Sequence, residues 1–258
     1  MSAGLRHPLR LLGRLTWLGA ELAYAAGRYP FAVTAAEPQR RRRERSGWLQ
    51  NHCQRTLRVL NVRLEQHGAL PGQGLLVCNH LSYLDILALG SLAPMVFVAK
   101  REVQEWPVFG ALAGLAGTIF VQRTRADIPR SSQEIQGALE QDSLVVLFPE
   151  GTSSGGETVL PFKSALLAAA GPGGGPIWPA CIHYPAENGD VAEGLCFWRD
   201  MSLLPHLLNI LGRKEITVAV RIGEPVAAAD RKEQALLLQA QVLEMYGQCQ
   251  DPGAGLSC

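Results

Sequence analysis

Residues 74–92 read GLLVCNHLSYLDILALGSL, and the change of pattern inside this stretch decides the fold. Gly74 to Asn79 is a short apolar run, as expected of a strand covered on both faces. A helical pattern over Tyr83–Leu92 follows after a short turn. The same alternation continues downstream. Strands are predicted over Met95–Ala99, Thr118–Gln122, Leu144–Phe148, Ile177–His183 and Ile216–Ile222, and helices over Val103–Ala116, Ile128–Gln141, Pro161–Ala170, Leu203–Leu211 and Ala229–Tyr246. Strands that alternate with helices imply an α/β domain, with a largely parallel central sheet flanked by helices. In such sheets ligands gather beyond the carboxyl ends of the strands. The turn-rich Gly171–Pro176 connector carries no recognisable chemistry.

Upstream the pattern changes. Residues 1–58 hold eleven Arg and three Glu, a net charge of +8, and the remaining residues carry −7, so the chain's overall +1 hides a basic N-terminal quarter on an acidic body. Such asymmetry points to a polyanionic surface as partner. Leu5 to Arg28 has helical periodicity, with Arg6, Arg10, Arg14, Glu21 and Arg28 on one arc and Leu5, Leu9, Leu11, Leu12, Leu15, Leu18 and Leu22 spread opposite. Trp17 and Tyr24 border the charged stripe, and Pro30 with the Thr34–Pro38 stretch ends the pattern. A second helical run follows, with Trp48, Cys53 or His52, Thr56 and Leu60 on one face and a basic side that begins at Arg40–Arg43 and Arg45. Arg14, Glu21 and Arg28 interrupt any spanning helix. Ala23-Tyr24-Ala25 resembles a signal-peptidase site, but Arg14 and Glu21 fall within its apolar region. The preferred reading is an N-terminal amphipathic helical pair lying at an anionic membrane surface, with Arg side chains on headgroups. The alternative is that the stripe packs on the protein's own body.

With 47% hydrophobic residues and no repeat period, the 258-residue chain is neither disordered nor fibrous. Its six Cys are scattered without a C-x-x-C pair or a zinc-like His spacing, which reads as buried thiols in a reducing compartment and no metal site. The Arg cluster lacks aromatic interleaving or a recognised motif, so nucleic acid is not expected as a partner.

Three constellations carry chemistry. The first is Asn79-His80-Leu81-Ser82-Tyr83-Leu84-Asp85, between a strand and a helix. His80 and Asp85 do not share a face of a regular helix, but they meet if His80 lies in the turn and Asp85 in the first helical turn. A His oriented by a carboxylate through one nitrogen can take a proton from an alcohol with the other. The competing reading makes Ser82 an N-cap and Asp85 its N3 partner, with His80 a bystander. The second is the strand Gly117–Gln122 ending in Arg123, with Arg125 close behind, donors for a phosphate or carboxylate. The third is Phe148-Pro149-Glu150-Gly151-Thr152-Ser153-Ser154, a strand entering a small-residue turn whose N–H groups and hydroxyls can hold an anion. Gly151–Gly155 also satisfies the G-x-S-x-G nucleophile elbow, and Asp190 or Asp200 with His206 supplies the chain order of a serine hydrolase at Ser153. An elbow needs a helix directly after the Ser, and here Gly155, Gly156, Thr158 and Pro161 follow.

In order and spacing these segments resemble the glycerolipid (1-acylglycerol-3-phosphate) acyltransferase family, with its N-H-x-x-x-x-D, G-x-x-F-x-x-R and F-P-E-G-T-x-S blocks, and Pro179 in Ile177–Ala180 resembles the fourth. The resemblance spans roughly residues 74–225, including Lys100, Phe162-Lys163 and Gly223-Glu224-Pro225. It implies amphipathic membrane-docking helices over residues 1–65, an acyltransferase domain over 66–250 and a flexible tail over 251–258. It implies an O-acyltransferase that moves a fatty acyl group from acyl-CoA or acyl carrier protein to the free hydroxyl of a lysolipid, without a cofactor or an acyl-enzyme. Lysophosphatidic acid is the expected acceptor and phosphatidic acid the product, at the cytoplasmic face of a membrane. His80 would be the general base and Asp85 its orienting partner. Arg123, Glu150, Gly151 and Thr152 would line the headgroup site, with Lys100 a further candidate. The third block commonly reads E-G-T-R-S, and Ser153 replaces that Arg. One cation fewer admits a less anionic acceptor, such as a lyso-ornithine lipid. A non-catalytic lipid-binding protein would keep the fold and the helices but not depend on His80.

Overall fold

The computed structural model describes residues 7–122, 124, 126–170, 175–185, 194–226 and 230–250. The tail over 251–258 lies outside them. The described chain runs α1 (Pro8–Ala32), α2 (Pro38–Leu60), β1 (Val62–His67), β2 (Gly74–Cys78), α3 (Leu84–Leu92), β3 (Val96–Lys100), α4 (Phe109–Ala116), β4 (Ile119–Val121), α5 (Ile128–Leu139), β5 (Leu144–Leu147), β6 (Ile177–His183), α6 (Leu203–Gly212), β7 (Ile216–Ile222) and α7 (Arg231–Gln250). The strands form one sheet in the order β1-β7-β6-β2-β5-β3-β4. Every adjacent pair is parallel except β6–β7. β2 and β5, at the centre, are buried along their whole length, which is why they read as unbroken apolar runs. Their registers, Leu75 opposite Val145 and Leu76 opposite Val146, bring the carboxyl ends of β2 and β5 level.

Three local expectations are corrected. β1 was not expected as a strand. Its alternation of Leu64 with Arg63, Glu65 and Gln66 is that of a half-exposed edge, paired only to β7, so the sheet begins ahead of the expected boundary at residue 65. The single helix expected over Val103–Ala116 is a short 3-10 turn, Arg101–Glu105, and then α4. Pro107 holds Trp106 in an extended conformation at ψ 126°, and Val108 takes a positive φ of 64° before α4 restarts. Of the helix expected over Pro161–Ala170, only a 3-10 turn at Leu167–Ala170 forms. The Lys163 N–H instead bonds the Pro149 carbonyl, closing the loop after β5.

The N-terminal helices are an antiparallel pair, with α1 also packed on α6. α1 continues through Pro30, whose missing donor falls in its last turn. Of its charged stripe, Arg6 lies outside the described residues, Arg28 is exposed, and Arg10, Arg14 and Glu21 face inward, contrary to the expectation that the Arg side chains lie on headgroups. Arg14 donates to the carbonyls of Leu211, Arg213 and Lys214, and Arg10 donates to that of Gly212. These carbonyls end or follow α6, where the helix leaves acceptors without partners, so a cation there is doubly favoured. Arg45 of α2 serves α4 in the same way, through the carbonyls of Gly114 and Leu115. Glu21 is only 3% exposed and accepts from His52 Nδ1 at 2.8 Å and Arg55 Nε at 2.7 Å. Burial acts to raise the Glu21 pKa, and the Arg55 and His52 hydrogen bonds outweigh it, holding the carboxyl below its ordinary range. The outward half of α1 is left apolar. Between Leu11 and Gly27 every exposed residue is uncharged, Leu12, Leu15, Trp17 and Tyr24 among them.

Glu21→Ala strands the buried His52 ring and removes the Arg55 partner. It is expected to lower unfolding free energy by about 2–3 kcal/mol, read as a lower denaturant midpoint at unchanged m-value. The wild-type contribution is present above the ordinary carboxylate pKa and lost as the pH falls through Glu21's depressed one.

Candidate active site

The carboxyl ends of β3 and β4 and the loops after β2 and β5 meet on one side of the sheet. The first chemistry-bearing residue after β2 is Asn79, buried and fixed. Its Nδ2 donates to the Ile182 carbonyl at 2.9 Å, and its Oδ1 accepts from the Ile182 N–H at 2.8 Å. This amide pair ties the end of β2 to β6 where parallel pairing with β2 has given way to antiparallel pairing with β7.

His80 follows in the turn and Asp85 lies in the first turn of α3. Nδ1 of His80 is 2.7 Å from Asp85 Oδ2. The same oxygen accepts from the backbone N–H groups of Leu81 at 2.7 Å and Ser82 at 3.0 Å. The competing reading of Ser82 as N-cap is not built, since Tyr83 is the N-cap and His80 is engaged by Asp85. Asp85 reaches back over the helix N-terminus as a capping carboxylate does, and it also holds the imidazole; Ser82 Oγ makes no cap. Asp85 is fully buried, and its Oδ1 accepts from the Tyr184 hydroxyl. The His80 ring stacks on Phe148, with centroids 4.2 Å apart and planes at 21°. With Nδ1 committed to Asp85, Nε2 is the nitrogen left to exchange a proton with a ligand.

The third block grips the backbone of the first. Glu150 Oε1 accepts from the His80 N–H at 3.2 Å, and the Ser154 N–H donates to the His80 carbonyl at 2.9 Å. Glu150 is 2% exposed, so its carboxylate lies beneath His80 and not along an acceptor surface as expected. Burial pushes the Glu150 carboxyl up to about 8, the His80 N–H acts against that, and the Asp85 charge adds to it. Gly151 takes φ 72°, a left-handed turn that carries the chain from the buried Glu150 to the exposed Thr152.

Beside this turn lies a cleft of about 360 Å³, lined by Lys100, Glu102, Val121, Gly151, Thr152 and Lys163. Lys100, Gly151 and Thr152 thus come together as the sequence suggested. Glu102 and Lys163 were not expected there. Glu102 belongs to the 3-10 turn that follows β3, one residue ahead of the helix predicted over Val103–Ala116. Arg123 and Arg125 lie outside the described residues. Among those described, no cluster of His, Cys, Asp and Glu is suited to a metal ion.

Asp190 lies outside the described residues, and among those described the serine-hydrolase arrangement is not built. Ser153 Oγ donates to the Phe197 carbonyl, no helix follows it, and His206 Nδ1 pairs with the Tyr83 hydroxyl at 3.0 Å. Phe197 also donates its N–H to the Leu81 carbonyl at 2.8 Å, so this strap joins the first and third blocks.

Residues 59–183 match the Acyltransferase family. The lyso-ornithine lipid O-acyltransferase of Brucella abortus is 41% identical over 185 residues, covering 65% of this chain and 69% of that protein. The 1-acyl-sn-glycerol-3-phosphate acyltransferase of Neisseria gonorrhoeae is 35% identical over 143 residues, 52% of this chain and 56% of that protein. The crystal structure of the 1-acyl-sn-glycerophosphate acyltransferase PlsC from Thermotoga maritima aligns over the whole of both chains with a TM-score of 0.72 at 19% identity, a likeness of fold.

The raised Glu150 pKa makes two checks. Glu150→Gln keeps an acceptor for the His80 N–H and is expected to retain most activity, whereas Glu150→Ala leaves that donor buried and loses it. Between about 4.5 and 8 the folded protein holds a proton that the unfolded chain has released, so Glu150 makes stability fall as pH rises. Denaturation midpoints of the Gln variant should decline less across that window, and an inactive Gln variant would require the carboxylate itself.

Proposed function

The chain belongs to the acyltransferase family, and on that premise we propose that it acylates the hydroxyl of a lyso-ornithine lipid at a membrane surface, with His80 as general base. The observation that carries the mechanism is the 2.7 Å contact between His80 Nδ1 and a carboxylate buried among further donors. Asp85 fixes the ring and stabilises its cationic form. Nε2 removes the proton of the acceptor hydroxyl as its oxygen attacks the thioester carbonyl of acyl-CoA or acyl carrier protein. A C–O bond forms, the C–S bond breaks, and the departing thiolate takes the proton back from the imidazolium. No residue need carry the acyl group, and no cofactor is required.

Two features favour the lyso-ornithine acceptor. Ser153 stands where the family's third block commonly has Arg, and its hydroxyl is turned to the Phe197 carbonyl. The cleft sets Glu102 against Lys100 and Lys163, a mixed lining that suits a headgroup bearing both a carboxylate and an ammonium. Ornithine itself has no hydroxyl, so the acylated oxygen must lie on the lipid's existing acyl chain. Lysophosphatidic acid is the second reading, supported by the Neisseria relative and by the two lysines.

The membrane reading rests on α1, whose Arg10, Arg14 and Glu21 are engaged inside the protein while Leu9, Leu12, Trp17, Tyr24 and Phe31 are exposed. Among the described residues no helix is long and apolar enough to cross a membrane. On this reading the helical pair lies in the interface at the cytoplasmic face, with Trp17 and Tyr24 at headgroup level.

Mass spectrometry of products from long-chain acyl donors and a panel of lyso-ornithine lipid, lysophosphatidic acid and other lysophospholipids tests the acceptor. A diacylated ornithine lipid, absent with His80→Ala, is expected. Phosphatidic acid in its place would establish the second reading, and product formation by His80→Ala would remove the proposed base. Separately, Leu12→Asp with Phe31→Asp should abolish co-sedimentation with anionic liposomes while leaving the unfolding transition intact. Undiminished sedimentation would refute docking through α1.

A further inference from the structure

A buried carboxylate used to steer an imidazole must itself be steered, because it can rotate and exchange its two oxygens. In Asp85 one oxygen is fully engaged: Oδ2 meets His80 Nδ1 and the N–H groups of Leu81 and Ser82. Those three contacts all come from the same short turn. Oδ1 points away from that turn and accepts from the hydroxyl of Tyr184, a residue as completely buried as Asp85. Tyr184 lies 99 residues further along the chain, immediately after β6. Its place is set by the Asn79 amide, which clamps Ile182 two residues earlier. The turn that carries His80 and the strand end that carries Tyr184 are thus joined at two points, once through Asn79 and once through Asp85.

We infer that Tyr184 is a positioning residue for acyl transfer, its phenol holding Asp85 in the one orientation that presents Oδ2 to His80. Removal of the phenol would leave Oδ1 a buried acceptor without a donor, which favours rotation or displacement of the carboxylate. The remaining anion would also be a stronger acceptor for the imidazole proton. Burial and the Asp85 charge hold the Tyr184 phenol far above its ordinary pKa, so it remains a donor across the working pH range. Tyr184 touches neither the cleft nor the reacting atoms, and its effect passes through Asp85 alone. The inference rests on the reading of His80 and Asp85 as the base pair.

The test is steady-state kinetics and pH profiles of the full-length protein, wild type, Tyr184→Phe, Asp85→Asn and the double variant, with thiol release as readout. Tyr184→Phe is expected to lower kcat about tenfold with donor and acceptor KM unchanged, the size of one lost hydrogen bond to a charged group. The acidic limb of kcat/KM should move to higher pH. In the Asp85→Asn background the same substitution should cost little further, since the group through which it acts is gone. An unchanged kcat and pH profile, or an equal loss in both backgrounds, would overturn the inference. Full activity of Asp85→Asn would instead defeat the base-pair reading, so the two failures are distinct. Should Tyr184→Phe not fold, 3-fluorotyrosine at position 184 supplies a stronger donor of nearly the same shape. It should shift the acidic limb to lower pH, and an unmoved limb would count against Tyr184.

Discussion

A carboxylate with no exposure to water has to be given donors by the protein, and Asp85 collects four of them. The surrounding structure follows from that requirement. The two N–H groups, of Leu81 and Ser82, come from the turn that leads into α3. The phenol comes from the end of β6, which must then pack beside the β2–α3 turn, and the Asn79–Ile182 amide pair keeps it there. The fourth donor is His80, whose own backbone is gripped by Glu150 and Ser154 from the loop after β5. A single buried charge therefore brings three strand ends to one point, and the imidazole is the only member of the group with a nitrogen left over for chemistry.

A comparable constraint governs the N-terminal helices. A helix end inside a protein leaves its last carbonyls in need of donors, and cations suit it. α1 turns Arg10 and Arg14 inward onto the end of α6 and Glu21 onto His52 and Arg55, which leaves its outer face uncharged between Leu11 and Gly27. The basic charge of the N-terminal quarter is thus in part internal. Arg45 caps α4 and Arg42 bonds the Gln141 side chain, leaving Arg41 and Arg58 among the exposed cations of α2.

The central strands β2 and β5 were legible in the sequence because burial on both faces leaves no polar residue to interrupt them; Ile177–His183 and Ile216–Ile222 agree to the residue even though His183, Thr217 and Arg221 lie within them. β1 escaped notice since an edge strand alternates, and Arg63 and Glu65 broke the apolar run. Periodicity found the charged arc of α1 but carries no information on which arc faces inward, and the expectation that its Arg side chains meet headgroups misplaced Arg10 and Arg14. His80 and Asp85 were readable because five residues separate them. Tyr184 and Ile182 act across about a hundred residues, and no local pattern marks a tyrosine that will meet an aspartate from another strand end. The burial of Glu150 was hidden for a related reason, because its partner, the His80 N–H, lies seventy residues away on another strand's loop.

The most direct test of this arrangement is the protonation state of one ring, read by nuclear magnetic resonance on protein with 15N-labelled histidine. The neutral His80 imidazole should carry its proton on Nδ1, with a downfield, slowly exchanging proton signal that disappears in Asp85→Asn. A neutral ring protonated on Nε2, or an Nδ1 proton signal indifferent to Asp85→Asn, would contradict the claim that the buried carboxylate prepares His80 to accept the proton of a lipid hydroxyl.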